Sequence, residues 1–547
     1  MAQRLANVKT RNQAGFDFVV SNLNILTPFG ESVKKNLQGF FPGEEALLKE
    51  ELDRVAFLKK SREDEKTLWD SVEMTFMEMK ESSFTIKRAK KDVLTVVEIF
   101  ELKQLILAME FLRNALEGCR NKEDERIPAV FLLDSLEQLL KELDPRNEGL
   151  KTFYLYDEFS SLLASLREEK RQLEITIRKE RKILVKKLKD EKGITLTPRF
   201  ECIVSKSQQP RISEMECTPE ICRMDEDYMS VTYELKDSEA IDKMVQKMDR
   251  IDEALDEEEL KVRESLSRII GDYEKPLLDN CERIGLLDFT YAKAVLAIRR
   301  NLVRPEIINE HLLEIEDGRH IEVESLLEKK GQSYRPVSLY LKQGVTCITG
   351  ANMGGKTVSL KLAGLVALMS QYGFFVPAKR VRVGLSQHIQ MLIGDTQSLE
   401  RGLSSFGGEM EELREALDLS KPRTLLLIDE LASGTNPKEG TALSKALVDY
   451  LMKKQYISLF TTHFDSVTEI PGVINLQVTG LANADFDKLK RELKYANRKE
   501  RIQLVAKYMD YRLMVVEGQG DVPKEAIHIA EILGLYDEII SRAKEYL

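Results

Sequence analysis

The stretch that most restricts this chain is GANMGGKT, Gly350 to Thr357, which fits the pattern GxxxxGK[ST] at every position. A loop of that kind holds its shape between a buried strand and the first turn of a helix. The apolar run GVTCIT precedes it, and the helix-compatible VSLKLAGLVALM follows. Two further runs, TLLLID from Thr424 and ISLFTT from Ile457, are as continuously apolar as the first. Strands buried on both faces of a parallel sheet read this way. An α/β domain with a mostly parallel sheet is therefore expected over residues 318–547.

The loop carries a chemical expectation as well. Gly350, Gly354 and Gly355 let backbone N–H groups approach phosphate oxygens, and the following helix N-terminus favours their negative charge. Lys356 reaches the β and γ phosphates of a nucleotide, and the Thr357 hydroxyl is offered to Mg²⁺. The second apolar run ends in Asp429-Glu430. One carboxylate there can orient hydrated Mg²⁺ and the next can polarise an attacking water, so Asp429 is assigned to the metal and Glu430 to the water. His463 follows the third run, at the strand edge where ligands bind in such sheets. ATP with Mg²⁺ is the expected cofactor pair, and ATP hydrolysis the expected reaction.

The first half of the chain has a different texture. Segments such as EEALLKEELDRVAFLKK and VLTVVEIFELKQLILAMEFLRNAL carry apolar residues at three- and four-residue spacings, which predicts helices from Glu44 to about Leu116. Long charged helices are predicted over Leu162–Lys192 and Ser238–Tyr273, separated by a turn-rich, strand-like insert from Gly193 to Leu235. Arg167 to Lys192 holds eleven Lys or Arg against six Asp or Glu, whereas Glu234 to Glu264 holds six against twelve. These helices read as an antiparallel arm of complementary charge. Its charges either pair the two helices with each other or leave basic groups facing outward to grip phosphates. The expected layout is a helical core over 1–160, the arm over 161–275, a further helix and connector over 276–317, and the ATPase domain with its helical tail over 318–547. The fold class is mixed: an all-α half, then an α/β half.

A formal net charge of -10 gives no global basic footprint, so any nucleic-acid surface must be local. The opening MAQRLANVKTRNQ has no apolar core of a leader, and no run is long enough to span a bilayer, so a cytoplasmic protein is expected. Six cysteines are scattered, with Cys217 and Cys222 the one close pair and Cys202 nearby. They read as reduced structural thiols, a metal role being the alternative.

TGANMGGKTVSLK, SFGGEM, IDELASGTNPKEGTAL and TTHF, in this order and spacing, resemble the ATPase domain of the MutS family. SNLNILTPFG resembles the start of that family's core domain, LLDFTYAKAVLAIRRNLVRPEI its lever helix, and GRHIEVESLL the lead-in to its ATPase. The resemblance implies a dimer, of this chain or with a MutS-like paralogue, with two composite ATP sites. It implies that Ser404 contacts the γ-phosphate in the partner's site, that Asn352 and Met353 shape the loop, and that His463 senses the γ-phosphate. It also sets Tyr334 against adenine and Gln397 along the site. The core-like segment begins near residue 20, without room for the family's mismatch-reading domains, and FME at Phe76–Glu78 matches its wedge by letter only. Mismatch recognition is therefore not expected. The tail resembles the branch that continues into a Smr nuclease domain, and none is expected after Leu547. Three functions stay open: a DNA-associated ATPase moving its arm on branched or duplex DNA, the ATPase component of a reactivase for an adenosylcobalamin-dependent lysine or ornithine aminomutase, and a nucleotide-gated scaffold.

Overall fold

The computed structural model describes residues 4–119, 126–147, 149, 154–350, 355–394, 405–481, 485–494, 504, 507–516, 527, 530–531 and 534–546. The chain forms two compact units, and neither is contiguous. One comprises residues 79–114 and 133–282; the other comprises 1–78, 115–132 and 283–547. No helix among the described residues is long and apolar enough to cross a membrane.

Residues 79–114 and 133–282 contain the two long helices, Ser161–Lys192 and Glu239–Asp272. Ser160 and Ser238 cap them, accepting from Leu163 N and Ile241 N, and Gly193 at φ 62° ends the first. Ion pairs run along the pair in opposite sequence directions, so the helices are antiparallel. Arg167 meets Glu259 at 2.8 Å, Lys170 meets Asp252 at 2.6 Å, Lys247 meets Glu169 at 2.6 Å, and Arg181 pairs with Asp237. Between them the insert folds into three antiparallel strands in the order β1-β3-β2: β1 (Glu201–Ser205), β2 (Ile221–Glu226) and β3 (Ser230–Leu235). The insert also contains a short helix, Gln209–Glu216, where the sequence suggested only strands and turns. Leu188, Ile194, Val204, Met215 and Tyr233 form its core.

Only part of the basic charge on Ser161–Lys192 is spent on the acidic helix. Arg171, Ile175, Arg178, Lys182, Lys186 and Lys189 recur every three or four residues and are all exposed. On a helical wheel they fall within about 80°, roughly 110° from the buried stripe of Leu163, Ile177 and Leu188. Arg171 touches Glu168 at 3.8 Å. Arg178, Lys182, Lys186 and Lys189 have no ion pair among the described residues. Four of these cations thus share one outward face without an acidic partner among the described residues.

The other unit is built on two sheets. β4 (Glu306–Ile308), β5 (Leu312–Gly318), β6 (Val337–Lys342) and β8 (Arg380–Gly384) form a four-stranded sheet in the order β4-β8-β5-β6. β7 (Gly344–Thr349), β9 (His388–Ile393), β10 (Thr424–Asp429), β11 (Ile457–Thr461), β12 (Ile474–Gly480) and β13 (Asp510–Val515) form a six-stranded sheet in the order β13-β12-β7-β11-β10-β9. Every pairing in the larger sheet is parallel except β12 with β13. The three apolar runs are its central strands, β7, β11 and β10, and they are buried on both faces as their composition requires.

Two buried charges organise the helices of this unit. Helix Glu274–Arg299 carries Asp288, whose carboxylate accepts from Leu26 N, from Thr27 N at 2.7 Å and from the Thr27 hydroxyl at 2.7 Å. One turn on, Lys293 donates to Glu51 at 2.8 Å and to the Tyr372 carbonyl at 3.2 Å, with its ammonium 4.8 Å from the rings of both Phe289 and Phe374. Gly373, at φ 71°, allows this approach, since a Cβ there would lie 2.7 Å from Glu51 Cγ. Burial alone would raise the Glu51 pKa, but Lys293 and Arg54 outweigh it and hold the carboxyl below its usual range. Lys293→Met should therefore cost about 3–5 kcal/mol by stranding Glu51, while Lys293→Met with Glu51→Leu should recover most of that loss. A depressed folded pKa means stability present above the unfolded value near 4.5 and lost as pH falls through the folded one. Urea denaturation across pH 3–7 should accordingly show a shallower acid limb in the double variant.

Candidate nucleotide site

β7 delivers the chain to the loop, and helix Lys356–Gln371 leaves it. Gly355 caps that helix at φ 76°, with the Tyr511 ring 3.0 Å from where a Cβ would sit. Lys356 is the first helical residue, and its side chain is 2% exposed. Its ammonium donates to the Gly350 carbonyl at 2.8 Å and lies 3.3 Å from Glu430 Oε1. Burying a lysine this deeply requires such partners.

Asp429 and Glu430 stand at the C-terminal end of β10, beside the end of β11. Thr357 donates to Asp429 Oδ2 at 2.9 Å, and Thr461 donates to Asp429 Oδ1 at 2.5 Å. The metal candidates Thr357 and Asp429 are thus in direct contact. A hydroxyl beside a carboxylate is an all-oxygen donor set of the kind a hard Mg²⁺ ion takes together with water and phosphate oxygens. Glu430 Oε2 lies 2.9 Å from His463 Nε2, and His463 Nδ1 lies 3.5 Å from the Lys356 ammonium. A carboxylate and an ammonium on opposite ring nitrogens assign the proton to Nε2 and the lone pair to Nδ1. Lys356, Thr357, Asp429, Glu430 and His463 therefore form one connected cluster.

Past Asp429 the backbone enters a conformation that side chains resist. Glu430 has φ 46° and Ala432 has φ 60°. Each such residue costs about 1–3 kcal/mol unless its surroundings impose it. Glu430 N donates to the Thr461 carbonyl at 3.1 Å and to its hydroxyl at 3.0 Å. Ala432 N donates to the Glu409 carboxylate, 3.1 and 3.2 Å from its two oxygens. The Ala432 carbonyl packs on Gly440, where a Cβ would lie 2.9 Å away. Glu409 belongs to helix Ser405–Leu419, which also packs Phe406, Met410 and Leu413 against the core containing Leu431 and Ala432. Burial raises the Glu409 pKa; the Ala432 N–H opposes this and nearby Glu412 adds to it.

Thr461 and Glu409 are functional candidates that the sequence reading passed over. Both lie inside quoted motifs, TTHF and SFGGEM, yet a threonine in a strand and a glutamate on a helix announce nothing until their partners are seen. Tyr334 lies with Arg319, His320 and Glu324 around it, and burial pushes its phenol up to about 12. Its neighbour Arg335 donates to the Lys507 carbonyl at 2.7 Å, just before the strand that brings Tyr511 over Gly355. Asn352, Met353, Gly354, Gln397 and Ser404 lie outside the described residues. Cys202 packs at the margin of the insert core, Cys217 and Cys222 are exposed, and all three are free thiols.

Lys356→Met removes the cation shared by Gly350, Glu430 and His463. Affinity for a fluorescent ATP analogue, read by anisotropy, should fall by about tenfold or more, with Mg²⁺ unable to restore it.

Residues 346–547 match the family described as MutS domain V. The chain is 34% identical over 283 residues to the DNA mismatch repair protein MutS of Carboxydothermus hydrogenoformans, covering 50% of this chain and 31% of that one. It is 32% identical over 302 residues to Endonuclease MutS2 of Acetivibrio thermocellus, covering 53% and 35%. Against Endonuclease MutS2 of Clostridioides difficile it is 32% identical over 295 residues, covering 53% and 34%. The chain spans about a third of the length of these curated relatives. Residues 346–547 are thus similar to domain V of the MutS family, and about half of the chain is similar to these relatives.

Proposed function

We propose that this chain is a Mg²⁺-dependent ATP hydrolase that works as a dimer on DNA, gripping the phosphate backbone with its helical arm. The observation that carries the enzymatic part is the single cluster formed by Lys356, Thr357, Asp429, Glu430 and His463. Lys356 binds the β and γ phosphates from the head of its helix, where the helix dipole adds to its charge. Thr357 and Asp429 would hold Mg²⁺, and Thr461 keeps the Asp429 carboxylate turned toward Thr357. The bound ion would neutralise charge building on the phosphates. Glu430 accepts the proton of the attacking water, while the His463 Nε2–H holds that carboxylate in place. Tyr334 is assigned to the adenine ring. Ser404 of a second copy is assigned to the γ-phosphate, and helix Glu274–Arg299 to the lever.

The choice of DNA over a protein client rests on the arm. Pairing with the acidic helix leaves Arg178, Lys182, Lys186 and Lys189 on one outward face without an ion pair among the described residues, which supplies the uncompensated cations that phosphate binding needs. The relatives carry the names DNA mismatch repair protein and endonuclease, and this reading takes from them the polymer alone. A cobalamin-dependent aminomutase as client is favoured only by the acidic overall balance.

Glu430→Gln should lower ATP turnover by about 10²–10⁴-fold while ATP affinity is kept, and ATP should then accumulate on the protein in a filter-binding assay. Unchanged turnover would remove Glu430 from its role as base. Labelled duplex or branched DNA, titrated by anisotropy with and without ATP, should bind with a salt slope near -4 in log-log form, about 0.9 per phosphate contacted. Lys182→Glu with Lys186→Glu should flatten that slope by about two. DNA binding that ignores these substitutions sinks the arm assignment, and none above the non-specific level moves the proposal to a protein client.

A further inference from the structure

The turn that carries Glu430 is anchored at three points, and one of them comes from a helix outside the loop cluster. Two anchors lie in elements adjoining the strand end: Thr461 on β11 takes Glu430 N, and Gly440 admits the Ala432 carbonyl. The third is Glu409, whose carboxylate takes the N–H of Ala432, a residue with no exposed surface. Without an acceptor that buried N–H would be orphaned, which native structures avoid. The nearest relief is to rotate Ala432 out of the left-handed region. That rotation would propagate two residues back to Glu430, itself left-handed at φ 46°. It would swing the Glu430 carboxylate away from Lys356 and His463.

We propose that Glu409 is a positioning residue for the hydrolytic step: it fixes the left-handed turn Glu430–Ala432 and so aims the Glu430 carboxylate. The inference rests on the ATPase reading and adds a coupling to it. Helix Ser405–Leu419 packs Phe406 and Met410 on the same core as Leu431 and Ala432, so a displacement of that helix carries Glu409 with it and releases the turn. Glu430 is then competent only when this helix is seated. Glu409 touches neither nucleotide nor metal in this scheme. Its effect is confined to the rate of hydrolysis.

The test compares full-length wild type, Glu409→Ala and Glu409→Gln in steady-state ATP hydrolysis, with rates normalised to sites titrated by a fluorescent ATP analogue. Glu409→Ala should lower kcat by about 10–100-fold, since misplacing a reacting group by an ångström costs that much, while KM and analogue affinity stay within about twofold. Glu409→Gln keeps an acceptor oxygen for Ala432 N and should restore most of kcat. In a Glu430→Gln background, adding Glu409→Ala should change the residual rate by less than about twofold, because the group being aimed is already gone. A Glu409→Ala protein with wild-type kcat per site, or an equal loss in both backgrounds, overturns the assignment. Wild-type protein that binds the analogue but does not hydrolyse ATP overturns the ATPase reading and this inference together.

Discussion

A parallel sheet buried on both faces has no place for charge along its strands, and that constraint orders everything at the candidate nucleotide site. β7, β11 and β10 carry no charge before their ends, so each charged side chain is displaced to the point where its strand ends. The parallel register then brings those ends together: Asp429 lies opposite Thr461 across β10 and β11, and Thr461 lies opposite Ile348 across β11 and β7. Lys356, Asp429, Glu430 and His463 come from three separate segments, yet they meet because three strands stop at one edge. The turns leaving that edge absorb what the strands cannot, including the backbone strain at Glu430 and Ala432.

Much of this could be read from residues alone, because the signals were covalently local. The P-loop is a contiguous pattern, and the central strands are contiguous apolar runs. The arm helices are long, and each begins at a serine that caps it in the structure. What escaped reading depends on partners distant in sequence. Glu409 is one acidic residue among several on its helix until Ala432, 23 positions away, is seen to donate to it. Lys293 and Glu51 are 242 positions apart, and nothing in either local sequence marks them as a buried pair. The four-stranded sheet was missed because β4 has three residues and β8 five, too short for periodicity to declare itself. The short helix Gln209–Glu216 escaped for a similar reason, since one proline near its start and two turns of length resemble a loop.

Charge on the arm shows how little a count says without a helical register. Adding both helices gives near neutrality, which would argue against any polyanion. The structure divides that sum by direction: cations at the inner positions meet Asp237, Asp252 and Glu259, and those at the outer positions meet solvent. Neutrality of a segment and neutrality of a surface are different statements.

The non-contiguous units also set the order in which the protein can be made. Residues up to Glu78 belong with residues from Arg283 onward, and the buried Asp288 that fastens Leu26 and Thr27 follows them by 261 positions or more. At roughly 5–20 residues per second of synthesis, the N-terminal segment waits on the order of 10–50 s for its partner. The unit containing the arm can close during that interval, since its last residue, Glu282, emerges first. During the wait Phe16, Val19 and Phe29, all buried in the finished protein, remain uncovered on the nascent chain. Pairing at so long a sequence separation makes folding of their unit slow.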